Sequence, residues 1–314
     1  MVRKTVLVTG GLGFIGGGLC KYLYESGFKV IVGSSRENAS LPSELSGCLL
    51  SLVDLDNREL LRQLCAKADY VIHLASINSK DSLSDSNQAV KVNGIGTANL
   101  IDACILNNIE YFIYFSTAHI YGSPLTGKIN ENVLPVPSHP YSISHRLAED
   151  FLIEAVLKNK MNGSILRLSN SVGLPLIKGS HCWELFVNDI CKQAVTKQSI
   201  EIYSNPYIER DFLSLDSVYI AVQSILKCKP KSKFPIFNLG SGITYDLLTI
   251  AQLVVNRCEV LFDFRPKLIY SESLKIPSIS LEFINKKFVD EVGYCPETDL
   301  ISSIDEILEF CESQ

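Results

Sequence analysis

Thr5-Val-Leu-Val-Thr9 runs directly into Gly10-Gly-Leu-Gly13-Phe-Ile-Gly16, and an apolar segment follows. The first five residues are β-branched or apolar and read as a strand. Glycines at 10, 13 and 16 permit a tight turn in which backbone amides approach a ligand closely. Leu19, Leu23 and Tyr24 then share one face of a helix that is expected to end near Gly27, and Phe28-Lys-Val-Ile-Val32 reads as the next strand. A strand, a glycine turn and a helix N-terminus in this order suit a dinucleotide pyrophosphate, because free N–H groups and the helix dipole both favour an anion there. A turn whose glycines serve packing alone is the alternative, and the β-α-β context argues against it.

Working outward, the alternation continues. Residues 48–53 read as a third strand, 57–67 as a helix and 69–75 as a fourth strand. Helical spacing covers 86–107, followed by strand 111–115, helix 141–159 and strand 164–168. Nearly continuous apolar strands separated by helices indicate a parallel sheet covered on both faces. The expected fold class is α/β, a doubly wound parallel sheet (Rossmann) with a smaller C-terminal substrate-binding lobe. Residues 1–170 form the dinucleotide-binding domain in this reading. Residues 171–314, broken by prolines, form mainly the lobe, with some segments returning to the sheet.

Composition narrows the function. Of 314 residues, 46% are hydrophobic and 20% charged, enough for a large core. A net charge of −5 disfavours nucleic acid as a partner. No apolar run approaches the roughly 18 residues of a membrane span, and strand one begins at once, so no membrane association, no leader and a cytoplasmic location are expected. The ten cysteines are dispersed without CxxC spacing, which reads as reduced core thiols with no metal site.

Strand two ends in Gly33-Ser34-Ser35-Arg36, where an acidic residue would grip the adenine ribose in many such folds. Hydroxyls and a guanidinium suit a 2′-phosphate, so NADP(H) is favoured over NAD(H), although Glu37 lies close by. Arg36 as a solvated loop cation is the plain alternative. Asp54 is placed to accept from the adenine amino group or, equally, to cap the next helix. Ser116, Thr117 and Tyr121 follow strand five, and Tyr141 opens a helix. Hydride exchange at an alcohol carbon also requires a mobile proton. A tyrosine phenol can shuttle it while a second hydroxyl holds the reacting oxygen. A phenol with an ordinary pKa of about 10 is a poor base at neutral pH and needs a cation beside it.

These residues resemble an extended short-chain dehydrogenase/reductase of the nucleotide-sugar epimerase, reductase and dehydratase family, over nearly the whole chain. Val8-Thr-Gly-Gly-Leu-Gly-Phe-Ile-Gly16 is similar to its cofactor turn, including Phe14 and Ile15, and Asp54-Leu55 to its adenine-contacting position. His73-Leu74-Ala75 resembles the strand-four signature, followed by Ser76 on the substrate side. Val92-Asn93-Gly-Ile-Gly-Thr97-Ala-Asn99-Leu100 resembles the helix behind the site. Phe115-Ser-Thr-Ala-His-Ile-Tyr-Gly122 resembles the segment whose catalytic Ser/Thr falls on Thr117, with Ser116 toward the cofactor, and Tyr141 matches the catalytic tyrosine. Leu166-Arg-Leu-Ser-Asn170, Arg210-Asp-Phe212 and Phe237-Asn-Leu-Gly-Ser-Gly242 match substrate-lobe signatures. The resemblance implies that Asn93 contacts cofactor and that Asn170 meets the sugar nucleotide. Arg210 is the strongest candidate for a diphosphate, against a salt bridge with Asp211 or Asp216, and Arg265 is a weaker one.

Two departures matter. The family carries lysine four residues after the tyrosine, whereas Tyr141-Ser-Ile-Ser-His145 ends in histidine on the same helix face. Three readings stand: His145 binds the ribose and activates Tyr141 weakly; a neighbouring carboxylate keeps it protonated; or redox chemistry is impaired. The Asp-Glu pair of related dehydratases is replaced by Ala118 and His119, which disfavours elimination. His119, and His181 after Ser180, resemble the positions where the GDP-fucose synthase branch places its proton-exchanging pair, so both are candidate acid/base groups; the plainer reading, slightly favoured, has His119 hydrogen-bonding a substrate hydroxyl and His181 in a loop. Elsewhere His73 reads as a satisfied core histidine, His139 as loop, Glu149 and Asp150 as a solvated helix face, and Trp183 and Phe186 as core or base-stacking residues. The resulting expectation is an NAD(P)-dependent reductase or epimerase acting on a nucleotide-linked sugar at C4, as a homodimer. The alternative is a catalytically impaired cofactor-binding scaffold or regulator.

Overall fold

The computed structural model describes residues 3–177, 179, 182–232, 234–271 and 280–314. Seven parallel strands make the main sheet: β1 (Thr5–Thr9), β2 (Lys29–Ser34), β3 (Leu49–Leu52), β4 (Tyr70–His73), β5 (Tyr111–Thr117), β7 (Gly163–Leu168) and β11 (Ile236–Leu239). Their spatial order is β11-β7-β5-β4-β1-β2-β3. The chain therefore leaves β1 in one direction through β2 and β3, then returns to its other side at β4. Thr9 pairs with Gly33 on one flank and His73 on the other. The reversal opens a crevice at the carboxyl ends of β1 and β4, where sheets of this kind bind ligands.

Strand periodicity explains the layering. Val6 and Val8 enter one core while Leu7 enters the other; Val30 and Val32 divide from Ile31 in the same way. The first core is closed by α1 (Phe14–Glu25), α8 (Leu215–Cys228) and α10 (Lys286–Val292). The second is closed by α2 (Arg58–Cys65), α5 (Thr97–Leu106) and α6 (Pro140–Leu157). A third core joins α7 (Phe186–Lys197), α9 (Leu247–Phe262) and α11 (Leu300–Glu312). It borders a sheet ordered β12 (Thr244–Asp246), β10 (Glu209–Ser214), β8 (Asn170–Val172) and the pair β13 (Lys267–Tyr270) with β9 (Ser199–Ile202). A last pair joins β14 (Leu281–Phe283) to β6 (Gly127–Ile129).

The helix expected over 86–107 is three pieces. Asp85 separates α3 (Ser79–Ser84) from α4 (Ser86–Ala89) and caps the latter. Val90–Gly96 is a π-helical stretch that passes into α5. Two glycines weaken the helix there, and the Thr97 hydroxyl takes the Asn93 carbonyl at 2.6 Å. Trp183 stacks on Phe310 at 5.9 Å, and Phe186 packs on the third core, so both serve packing.

Candidate active site

Backbone geometry at the crevice admits glycine and little else. Gly10 has φ +68°, and a Cβ on Gly16 would lie 2.2 Å from the Gly10 oxygen. The following helix α1 starts at Gly13 with no capping side chain and no acidic residue in its first turn. Its free N–H groups and positive dipole end thus remain available to an anion. A cavity of about 580 Å³ spreads from Gly10 and Gly13 across Ser34, Ser35, Arg36, Asp54 and Leu55 to Leu74, Ala75 and Ser76. Asp54 does not cap α2, because Asn57 accepts the Leu60 N–H instead. Among the described residues the Asp54 carboxylate accepts the N–H of Asp56. Ser34 is buried and accepts the Arg36 N–H, holding the Arg36 backbone at the cavity rim while its side chain stays exposed.

His73 fixes the floor. Because the Thr97 hydroxyl donates to the Asn93 carbonyl, it accepts from His73 Nε2 at 2.8 Å. Nδ1 then accepts the Thr9 hydroxyl at 2.6 Å, and Thr9 accepts the Ala75 N–H. Both imidazole nitrogens are satisfied, and burial first, then His145, lowers the ring to about 3. Asn93 requires a correction: its carbonyl accepts the Ile77 N–H at 2.7 Å and its amide donates to Ser144 Oγ at 3.0 Å. It braces the cavity wall against α6 with its donors engaged, and does not present them to a cofactor.

Beside that floor stand the hydroxyls. Ser116 and Thr117 end β5, and α6 packs against the turn formed by residues 118–121. Thr117 Oγ1 accepts the His119 N–H at 3.2 Å, keeping its own proton to donate. Ser116 Oγ is buried without a partner. Tyr141 begins α6 behind a cap that the sequence reading took for loop: His139 Nδ1 accepts the Tyr141 N–H, with Ser142 closing a capping box. The Tyr141 ring meets His145 edge-to-face at 4.4 Å, and His145 stacks on Tyr114 of β5 at 5.8 Å. Burial raises the Tyr141 phenol to about 12, and no charge among the described residues offsets it. Burial likewise lowers His145 to about 3, so its ring is neutral. The reading in which a carboxylate keeps His145 charged is therefore corrected. The eligible carboxylate, Glu149, is not on a solvated face but fully buried, in a two-pronged pair with Arg167 at 2.9 and 2.6 Å.

Arg167 lies over the Tyr121 ring at 4.7 Å, and Tyr121 donates to Asn238 at 2.7 Å. This buried assembly anchors the turn after Thr117; sequence reasoning missed it. Arg210, half-buried in β10, makes no ion pair among the described residues, and burial lowers its guanidinium. Neither expected salt-bridge partner reaches it. Asp211 turns to the Ser241 and Gly242 N–H groups at 3.0 and 2.7 Å, with burial raising it to about 6. Asp216 sits in the first turn of α8. His119 is exposed on the turn after Thr117; desolvation, then Arg210 and His139, hold it below its ordinary value. Asn170 donates to the Asp211 carbonyl at 2.8 Å.

Two assignments fall elsewhere. Arg265 is paired with Glu259 on the surface, with both side chains more than half exposed, and so is corrected from a phosphate ligand to a surface ion pair. His181 lies outside the described residues. A larger hollow of about 1010 Å³ between α1, α8 and residues 293–306 is rimmed by Glu25, Asp216, Glu297, Asp299 and Glu306. The helices that open onto this hollow, α8 and α11, are capped by Ser214 and Asp299, so the glycine-lined cavity at the uncapped end of α1 is the better dinucleotide site. Among the described residues no cluster suits a metal ion, and no helix is long and apolar enough to cross a membrane.

A Rossmann crevice with a glycine turn, a Ser-Thr pair and a tyrosine helix defines a class of nucleotide-dependent proteins. The chain belongs to the NAD dependent epimerase/dehydratase family, whose model matches residues 6–240. The UDP-glucose 4-epimerase of Mycoplasma genitalium is 26% identical over 307 residues, 88% of this chain and 89% of that one. In fold, MoeE5 in complex with UDP-glucuronic acid and NAD matches with a TM-score of 0.80 at 22% identity, over 98% of this chain and 99% of its own. RMD from Pseudomonas aeruginosa complexed with NADPH matches at 0.76 and 20% identity, over 99% of each. A nicotinamide dinucleotide fits the residues present: the cradle that a Cβ would fill, the uncapped helix end, and two orphaned groups, Ser116 Oγ and His145 Nε2.

Proposed function

We propose that the protein is an NAD(P)-dependent oxidoreductase acting at C4 of a nucleotide-linked sugar, with reduction of a 4-keto group as its favoured direction. The bound dinucleotide supplies the hydride. Tyr141 donates the proton to the carbonyl oxygen, and the Thr117 hydroxyl holds that same oxygen. His145 offers Nε2 to the nicotinamide ribose. Arg210, a cation with no ion-pair partner among the described residues, suits the substrate diphosphate. The observation that carries the direction is the Tyr141 phenol itself. Burial holds its pKa near 12, so it is protonated at neutral pH, which equips it as an acid. Epimerisation would first require it as a base.

Arg36 and the two serines support NADP(H) over NAD(H), since exposed guanidinium donors match a 2′-phosphate. Ten free thiols, with Cys65 and Cys104 only 3.8 Å apart, fit a reducing cytoplasmic setting. Ile95, Ile143 and Phe151, 48, 47 and 42% exposed, support a homodimer through α6 and the π-helical stretch that leads into α5. Light scattering giving the monomer mass at micromolar concentration would refute the dimer. The activity test incubates the protein with NADPH or NADH and a panel of nucleotide-linked 4-keto sugars, following absorbance and products. Oxidation of NADPH with one panel member, about tenfold faster than of NADH, is expected. Histidine at 145, where the family resemblance calls for lysine, also favours a second reading, a cofactor-bound scaffold. Tight dinucleotide binding with no turnover across the panel would establish that reading instead.

A further inference from the structure

Tyr114 lies at the centre of β5, fully enclosed, three residues before Thr117. Its hydroxyl is 2.7 Å from His145 Nδ1, its one hydrogen-bond partner among the described residues. A buried hydroxyl left without an acceptor loses the full desolvation free energy of its proton. Tyr114 therefore donates, and Nδ1 accepts. Nδ1 thereby cannot hold a proton, and a neutral imidazole must carry its hydrogen on Nε2. That nitrogen is buried and has no partner among the described residues, so it stands as an N–H in want of an oxygen.

We propose that Tyr114 is a positioning residue of this site, holding His145 as a neutral imidazole with its hydrogen on Nε2, so that position 145 serves as an oriented donor and not as a cation. The ribose hydroxyls of the dinucleotide are the acceptors in question, and to that extent the inference rests on the reading above. The surroundings agree on neutrality. From β4, His73 faces the ring and is itself neutral, its two nitrogens engaged by Thr9 and Thr97. On α6, Tyr141 adds an uncharged phenol, and Glu149 is held by Arg167. From β5 the Tyr114 ring stacks on it and the Tyr114 hydroxyl meets Nδ1, both uncharged. Protonating Nδ1 would set its hydrogen against that of Tyr114, with no carboxylate to stabilise the cation.

The test needs no substrate. In cofactor-free protein labelled with ¹⁵N at histidine, His145 is expected to show a single tautomer, hydrogen on Nε2, unchanged from pH 8 to pH 5. Tyr114→Phe preserves ring packing and should move the Nδ1 resonance to that of an unbonded nitrogen. It should also weaken NADPH, measured by fluorescence titration, about five- to tenfold. His145→Phe should lose at least tenfold in affinity, and His145→Gln, a neutral donor and acceptor, should recover most of that loss. Titration of His145 between pH 5 and 8, hydrogen on Nδ1, or a Gln variant as weak as the Phe variant would each overturn the proposal. A protein that meets these outcomes but turns over no keto sugar would refute the reductase reading while leaving this one standing.

Discussion

Tyr141→Phe is expected to lower the rate of keto-sugar reduction by about 10³-fold, within the range for loss of a positioned acid. Dinucleotide affinity should change far less, because the glycine turn and the helix end bind the diphosphate independently of the phenol. The pH dependence carries the sharper content. The phenol is held near 12 by burial, so the acid form needed for reduction is present at all lower pH values. Reduction should be flat from pH 6 to about pH 10 and should fall only as pH climbs toward 12. Oxidation of the corresponding alcohol uses the phenolate, which at pH 7 amounts to about 10⁻⁵ of the protein. Its rate should therefore rise about tenfold per pH unit. His145→Lys, by adding charge on the same helix face, should raise the oxidative rate at neutral pH. Stopped-flow measurement of both directions reads all of this. A reductive profile that declines between pH 7 and 9 would show that a cation does act on Tyr141.

Local order explains what was legible. The β1–turn–α1 unit was readable because strand, glycines and helix are contiguous and each restricts its own backbone. The places of Thr117 and Tyr141 were readable because each sits at the end or start of an element, which fixes where they stand and not what they do. His139 carried a signal that was passed over: a proline at the next position and a serine three residues on mark a helix start with a capping box. The Glu149–Arg167 pair carried none. A glutamate one turn after His145 looks like any helix-surface carboxylate until the strand that buries it is in place, and that strand begins 14 residues later, at Gly163. Asn93 and Arg265 failed for a related reason. Residue type suggests what a side chain can bind, whereas tertiary packing decides whether Ile77, Ser144 or Glu259 has already engaged it.

Glu149→Ala should be the most damaging single change away from the reacting groups. Arg167 is 1% exposed and its two-pronged partner is 0% exposed, so truncation leaves a buried guanidinium with no counter-charge. Breaking such a pair costs about 3–5 kcal/mol, equivalent to a fall in Tm of roughly 10 °C in a chain of this size. The loss should also reach the chemistry. Arg167 packs on Tyr121, and Tyr121 reaches Asn238 on β11; the residues they hold follow directly after Thr117. Because the chain has several cores and need not unfold in one step, calorimetry is preferable to a single extrapolated free energy. Replacing both members, Glu149→Met with Arg167→Met, should recover most of the lost stability, since hydrophobic side chains of similar volume often match a buried ion pair. Activity need not return with it, because methionine does not reproduce the planar cation over the Tyr121 ring. A single variant that melts within 2 °C of the parent would mean that water or a rearranged side chain compensates Arg167. A double variant no more stable than the single would mean that packing around the pair, and not its unpaired charge, sets the loss.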